Sequence, residues 1–542
     1  RLLAGMLLLA GCGADAGGAG APPVARDERP AHGDTYIEST IGNISALIPN
    51  IANDGASHDV GAQIYSGLVT YDKELKVAPE LAESWSFSAD CRDLTFRLRP
   101  NVRWHDGKPF TSADVLFTHA TMTHPKTPTA YREDFLAVES IEAPDPLTVK
   151  IRYKTPYAKG LQSWSMYMLP KHLLEPYVDA GTLREAPQNR TAPIGTGPYR
   201  FKEWKSGEKV VLVANPDYYV PERPYIGRIV YRVIPSQATI FLELKAKGVD
   251  AASLTALQYK RQTEYPAFRK AYNRYRYPSN SVSYLAFNGK DPRFADKRVR
   301  RALAHAINKQ DLIDHVILGL GRDATGPYKP GTWAYNPAVQ SPAYDPARAR
   351  ALLAEAGWRE KNAAGILVKD GRPFAFEILT NQGNDERKKV AEVVQAALRD
   401  IGIDVEIRMV EWATLLKEHV RKRNYDALVL GWGLGRDPDV FSLFHSSKTR
   451  PEDFNITSYA NPEVDELLER GRSTCIQAER ARFYHRVHEI LADEVPVLFL
   501  YARDALPVVT SRMRGVEPAP AGIQYNFHEW YVPRELQRYT AG

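Results

Sequence analysis

Residues 425–446 read YDALVLGWGLGRDPDVFSLFHS, and the fold turns on how this stretch is understood. The apolar run 427–430 predicts a buried strand. It ends where Gly431, Trp432, Gly433, Leu434, Gly435, Arg436, Asp437, Pro438 and Asp439 follow one another, too rich in glycine and proline to continue a ladder. A large aromatic, Trp432, is thereby expected on a loop at a strand end.

The residues before it predict a rigid support. Residues 374–379 read as a strand, and 385–401 as a helix with Val390, Val393, Val394, Ala397, Leu398 and Ile401 at helical spacing and Gly402 as its stop. Val405, Ile407 and Met409 alternate as a further strand, and a second helix is expected over 412–422. Strand, helix, strand, helix, strand implies a mostly parallel sheet with helices on its faces. Ligands in such sheets gather outside the strand carboxyl ends. Trp432 is therefore a candidate ligand contact, with a core or hinge aromatic as the other reading.

With 542 residues, 44% hydrophobic and 25% charged, the chain exceeds what one core serves, so two or three domains are expected. Basic residues outnumber acidic ones only mildly, 71 to 65, and they are scattered. The densest patch, Arg269 to Arg276, alternates basic and aromatic residues without any nucleic-acid module around it. A solvated strand face explains it, and no nucleic-acid partner is expected.

Residues 2–10 form an apolar run too short to span a bilayer, after Arg1, and end in Leu9-Ala10-Gly11-Cys12. This resembles the lipobox of bacterial lipoprotein signal peptides, in which the cysteine is lipidated. Residues 1–12 are thus read as a truncated signal peptide and Cys12 as the lipidation site. Residues 13–33, rich in Gly, Ala and Pro, read as a flexible tether. Cys91 and Cys475 remain; a disulfide between them is allowed, and two isolated thiols are the expectation.

Among the other polar residues, Asn43 and Ser57 precede a helix expected over 60–66, where they either cap it or face a ligand. His105 beside Asp106 is read as turn chemistry, since adjacent residues of a hairpin point apart. Gly195-Thr196-Gly197 lacks the third glycine and the following helix of a phosphate loop. His485-Arg486-Val487-His488-Glu489 does not match the His-Glu-x-x-His order of a zinc hydrolase, and Gly-x-Ser-x-Gly is absent from the sequence. No enzyme activity, cofactor or metal site is expected, and His445 is read as structural.

Taken in order, the lipobox, residues 102–115, Leu169-Pro170-Lys171-His172, residues 194–204, 286–313 and 425–439, Asn461-Pro462-Glu463-Val464-Asp465 and residues 493–501 resemble the family 5 extracellular solute-binding proteins of ABC importers, which serve dipeptides, oligopeptides and nickel. The resemblance implies an α/β, two-lobed periplasmic-binding-protein-like fold of the class II type, with an extra β-rich domain in the first lobe. By that analogy lobe one holds residues 34–282 and 505–542, including an extra subdomain at about 63–191, and lobe two holds 283–504. It implies an extracytoplasmic, lipid-anchored and monomeric receptor, in the periplasm or on the outer face of the cell membrane. Such a receptor closes on a small solute, with a peptide or peptide-like compound expected, and delivers it to an importer's permease and ATPase. A sugar, metal chelate or opine-like acid, or a signalling role, is the alternative.

The resemblance carries the ligand contacts to Trp432, Leu434 and Trp412. Where peptide binders of the family place an ammonium-binding Asp, three residues after the loop Trp, this chain has Gly435. Asp437 or Asp439 is then the candidate replacement. Arg436 is read either as the partner of a ligand carboxylate or phosphate or as a surface residue paired with Asp437.

Overall fold

The computed structural model describes residues 28–539; Cys12 and the signal-peptide reading lie outside the described residues. Two seven-stranded sheets dominate. The first runs in the order Tyr272–Arg274, Pro507–Thr510, Ala251–Ser253, Gly33–Thr40, Ile226–Val233, Lys209–Ala214, Tyr199–Lys205. Gly33–Thr40 is parallel to Ile226–Val233 and to Ala251–Ser253, and the other pairings are antiparallel.

The second sheet follows Tyr277–Pro278, Val497–Ala505, Ser281–Phe287, Ala427–Gly433, Ala375–Asn381, Asp404–Val410, with Gly321–Asp323 beside Val497–Ala505. The expected mostly parallel sheet is thus mixed. Ala375–Asn381 lies parallel to both of its neighbours, but Ser281–Phe287 enters antiparallel between Ala427–Gly433 and Val497–Ala505. That strand arrives from far back in the sequence, where the local strand–helix alternation carries no information. The chain passes between the two sheets at residues 274–281 and 505–507, where the backbone N–H of Leu254 donates to Leu506 and that of Tyr275 to Pro507.

A third sheet, antiparallel in the order Ala82–Phe87, Asp93–Leu98, Thr148–Tyr153, Val138–Asp145, encloses its own core around Trp104, Phe96 and Trp164. It is inserted in sequence between Gly33–Thr40 and the edge strand Tyr199–Lys205. The helix Ser112–Thr123 that covers it starts at a reciprocal cap between Thr111 and Asp114. The expected tether end is anchored: Glu28 pairs with Arg514 at 2.9 Å, and the His32 carbonyl accepts from Gln537 at 3.1 Å.

With the first sheet as the centre of lobe one and the second as that of lobe two, the expected helix lies in lobe two as Asp385–Asp400, capped by Asn384 and burying Val390, Ala391, Val394 and Leu398. It stops in a Schellman turn: Ile403 N–H reaches the Leu398 carbonyl and Gly402 N–H the Arg399 carbonyl, at 3.0 Å each, with Gly402 at φ +87°. The second expected helix, 412–422, is only a turn, Trp412–Thr414, that runs into the wider coil Leu415–Val420.

Candidate functional site

The strand expected to end at residue 430 continues to Gly433, so Trp432 belongs to the ladder opposite Val282 instead of to a loop. Its ring lies 4.2 Å from that of Tyr284 and meets Phe444 edge-on at 5.8 Å. Trp432 is half-buried on an aromatic bed. Trp412, in contrast, stands between the lobes. Glu411 accepts from the N–H groups of Ala413 and Thr414 at 2.9 Å each and fixes the turn. The indole then packs so closely on Gly42 of lobe one that a Cβ there would sit 3.1 Å from the ring.

Beside Trp412 opens a cleft cavity of about 380 Å³ walled by both lobes. Glu38, Asp59 and Tyr231 face it from lobe one, and Asn381, Arg387, Trp412 and Arg503 from lobe two. Arg387 donates to Asn381 Oδ1 at 2.7 Å, lies 5.9 Å from the Trp412 ring, and forms no ion pair among the described residues. Desolvation lowers its pKa. Opposite, burial and then the charge of Asp59 push the Glu38 carboxyl up to about 8, although Gln524 donates to it at 3.1 Å. Asp59 lines the cleft; the protein around it, and then the charge of Asp54, raise it to about 6. Among the described residues, two acids without a paired cation thus face an arginine without a paired acid.

A second cavity of about 490 Å³ lies along the loop after Trp432, lined by Leu434, Gly435, Arg436, Asn280, Tyr328 and Lys329, with Leu75 from the first lobe. Its charged groups are cationic. Arg436 does not pair with Asp437; its guanidinium lies 4.5 Å from the Tyr71 ring, across the lobe boundary. Lys329 donates to Asn280 Oδ1 at 3.1 Å, and burial followed by the charge of Arg322 lowers its pKa.

The remaining candidates are engaged elsewhere. Asp437 accepts from Arg480 Nη1 and Nη2 at 3.0 and 2.8 Å, and Asp439 from Arg472 at 2.6 Å. Both carboxylates are nearly inaccessible, at 5% and 1%. Ser57 is fully buried, accepting from Ser45 N–H and donating to Asp54, each at 2.9 Å. Asn43 ties down Gly207 N–H at 3.2 Å. His488 holds Thr325 Oγ1 at 2.9 Å, with its pKa lowered to about 4 by burial. No group of three metal-ligating side chains occurs among the described residues. In the basic patch, Arg274 pairs with Glu264 and Arg276 with Asp504 at 2.5 and 2.7 Å.

Sequence reasoning passed over Glu38, Asp59 and Arg387. The available signal was positional: Glu38 is an acid near the end of a strand, and Arg387 lies in the first turn of a helix that follows a strand end.

One expectation is overturned outright. Cys91 and Cys475 are joined in a disulfide, with Cα atoms 6.2 Å apart, although 384 residues separate them. The bridge ties the 88–93 turn of the four-stranded subdomain to the loop between Pro462–Arg472 and Gln477–Glu494 of lobe two.

The family model for bacterial extracellular solute-binding proteins, family 5 Middle, matches residues 76–453. The oligopeptide-binding protein AppA of Bacillus subtilis is 32% identical over 513 residues, covering 93% of each chain. The structure of AppA with a nonapeptide superposes with a TM-score of 0.88 at 31% identity, covering 93% of this chain and all of that one. NikZ of Campylobacter jejuni with Ni(L-His) gives 0.82 at 29% identity, covering 92% and 99%. With the two lobes, the cleft between them and a match over most of its length, the chain belongs to family 5 of the bacterial extracellular solute-binding proteins.

Proposed function

We propose that this protein captures a peptide or peptide-like zwitterion between its lobes and delivers it to an ABC importer, held at the outer face of a membrane through Cys12. The cleft cavity carries this reading: uncompensated acids on one wall, Glu38 and Asp59, face an uncompensated arginine, Arg387, on the other. An ammonium against the acids and a carboxylate against Arg387 are each neutralised only when the lobes meet. Contacts made only on closure supply the differential affinity that drives it. Gly435 and the Arg480-bound Asp437 leave the ammonium to lobe one. The oligopeptide named for AppA and its nonapeptide complex support the same ligand class.

The cavity of Lys329 and Arg436 favours a second reading, in which an acidic compound such as an opine is the cargo. Native mass spectrometry of the protein purified from cells, with release of the bound compound under mild denaturation, tests both. Release of a peptide upholds the first reading. Release of a non-peptide acid replaces it with the second, and calorimetry with peptide mixtures that shows no binding rejects it.

A further inference from the structure

The Cys91–Cys475 bridge crosses the lobe boundary outside the strands that connect the lobes, joining the inserted four-stranded sheet to a helix–helix loop of lobe two. The connection at 505–507 leads into Pro507–Thr510, second in the lobe-one sheet, whereas the subdomain that carries Cys91 is inserted ahead of Tyr199–Lys205, the strand at the opposite edge. The five spacings between those two strands, at about 4.8 Å each, amount to roughly 24 Å. A lobe rotation of about 15° about the connection would swing a point that far away by roughly 6 Å. The Cα atoms already stand 6.2 Å apart, and a disulfide spans at most about 6.8 Å.

The same seam carries non-covalent contacts. The N–H of Ala158 donates to the Arg472 carbonyl at 3.0 Å, and the Arg472 guanidinium lies 3.8 Å from Asp134. Lys448 pairs with Glu133, and the rings of Tyr131 and Phe454 lie 5.7 Å apart. These contacts are reversible on the timescale of lobe motion; a covalent bond is not.

We propose that the Cys91–Cys475 disulfide is a redox latch that holds the lobes together and gates exchange of the cleft's contents. The gating half of this proposal rests on the cleft being the ligand site; the clamping half does not. Release is a thiol–disulfide exchange with an external dithiol. One thiolate of the dithiol attacks a bridge sulfur, the S–S bond breaks, and the other cysteine leaves as a thiolate and takes a proton. The second thiol of the dithiol then displaces the attacked cysteine. The protein gains two electrons and two protons, and the dithiol leaves as a disulfide. Both cysteines are half-buried, so the bridge is within reach of such a reagent.

The test uses the full chain purified without reductant. Non-reducing peptide mapping should recover the Cys91 and Cys475 peptides linked; two free thiols in protein from an oxidising compartment overturn the latch. Small-angle scattering of ligand-stripped protein should then give a compact particle when oxidised. The same protein with dithiothreitol, and the Cys475→Ser variant without it, should show a larger radius of gyration. An oxidised protein that opens as far as the reduced one overturns clamping, because the subdomain then travels with lobe two. Ligand exchange, followed by native mass spectrometry with isotopically labelled cargo, should be about tenfold or more faster after reduction and in Cys475→Ser. Should scattering respond but exchange not, clamping stands and gating at this cleft is rejected. Cys91→Ser serves as the second variant, and matching circular dichroism spectra confirm that both fold.

Discussion

Asp437 accepts from both terminal nitrogens of Arg480, at 3.0 and 2.8 Å, in a pair whose side chains are 5% and 7% exposed. The loop after Trp432 is thereby fastened to the helix Gln477–Glu494, and the acid nearest the vacant family position is spent on structure. Removing one member of such a buried pair strands the other charge, which costs about 3–5 kcal/mol. Asp437→Ala should therefore lower the unfolding free energy from equilibrium denaturation by that amount. Ligand affinity per folded molecule, measured by calorimetry, should change far less.

The cleft acids predict a pH dependence with a definite sign. In the unfolded chain Glu38 and Asp59 ionise near their ordinary 4.5 and 3.8, whereas in the empty folded protein they hold their protons to about 8 and about 6. The folded protein thus binds more protons between these limits. Stability from these groups is fully present below pH 4, falls as pH rises through 6 and is lost by about 8. A cation bound between the acids favours their ionised forms, so ligand affinity should rise over the same window. Glu38→Gln should remove the upper part of both trends in titrations of melting temperature and of affinity.

On the other wall, Arg387 predicts a dependence on the ligand's acid group. Charge-assisted hydrogen bonds contribute about 1.5–3 kcal/mol each. Arg387→Gln should weaken binding of a free-acid peptide roughly tenfold to a hundredfold and leave its C-terminal amide nearly unaffected. Equal losses for both forms would place the carboxylate elsewhere, with Arg436 and Lys329 as the next groups to vary.

How much was legible in advance follows the range of the interactions. The helix Asp385–Asp400 and its Gly402 stop could be read because spacing, cap and left-handed terminus are all local. Trp432 reads locally as a loop residue, whereas what keeps it in the ladder is Val282 across the strand and Tyr284 beneath the ring. The Cys91–Cys475 pair has no local signature at all over 384 residues. Nor do Glu38 and Asp59: an isolated acid looks the same in sequence whether it faces bulk water or a closing cleft. Spacing reveals elements, whereas the site arises from residues that only the crossing topology brings together.

Gly195 and Gly197, whose pattern superficially suggests a phosphate loop, yield the last prediction. A Cβ on Gly195 would lie 1.8 Å from the Ile64 carbonyl oxygen, and one on Gly197 would lie 2.5 Å from that of Gln63. Both glycines exist to let two backbones touch: Gly197 N–H donates to the Ile64 carbonyl at 2.8 Å, and Gly195 N–H to His105 Nδ1 at 3.3 Å. This contact presses the end of the helix Gly55–Ile64, which carries Asp59, against the entry to Tyr199–Lys205. Backbone cannot rotate aside as a side chain does, so Gly195→Ala should cost at least the roughly 1–3 kcal/mol of an overpacked site. Because the helix must shift to make room, affinity should fall along with stability, in contrast to Asp437→Ala. Thermal unfolding and calorimetry on the two variants side by side check that contrast, and an unchanged melting temperature for Gly195→Ala would show that the approach of the two backbones is not essential to the lobe.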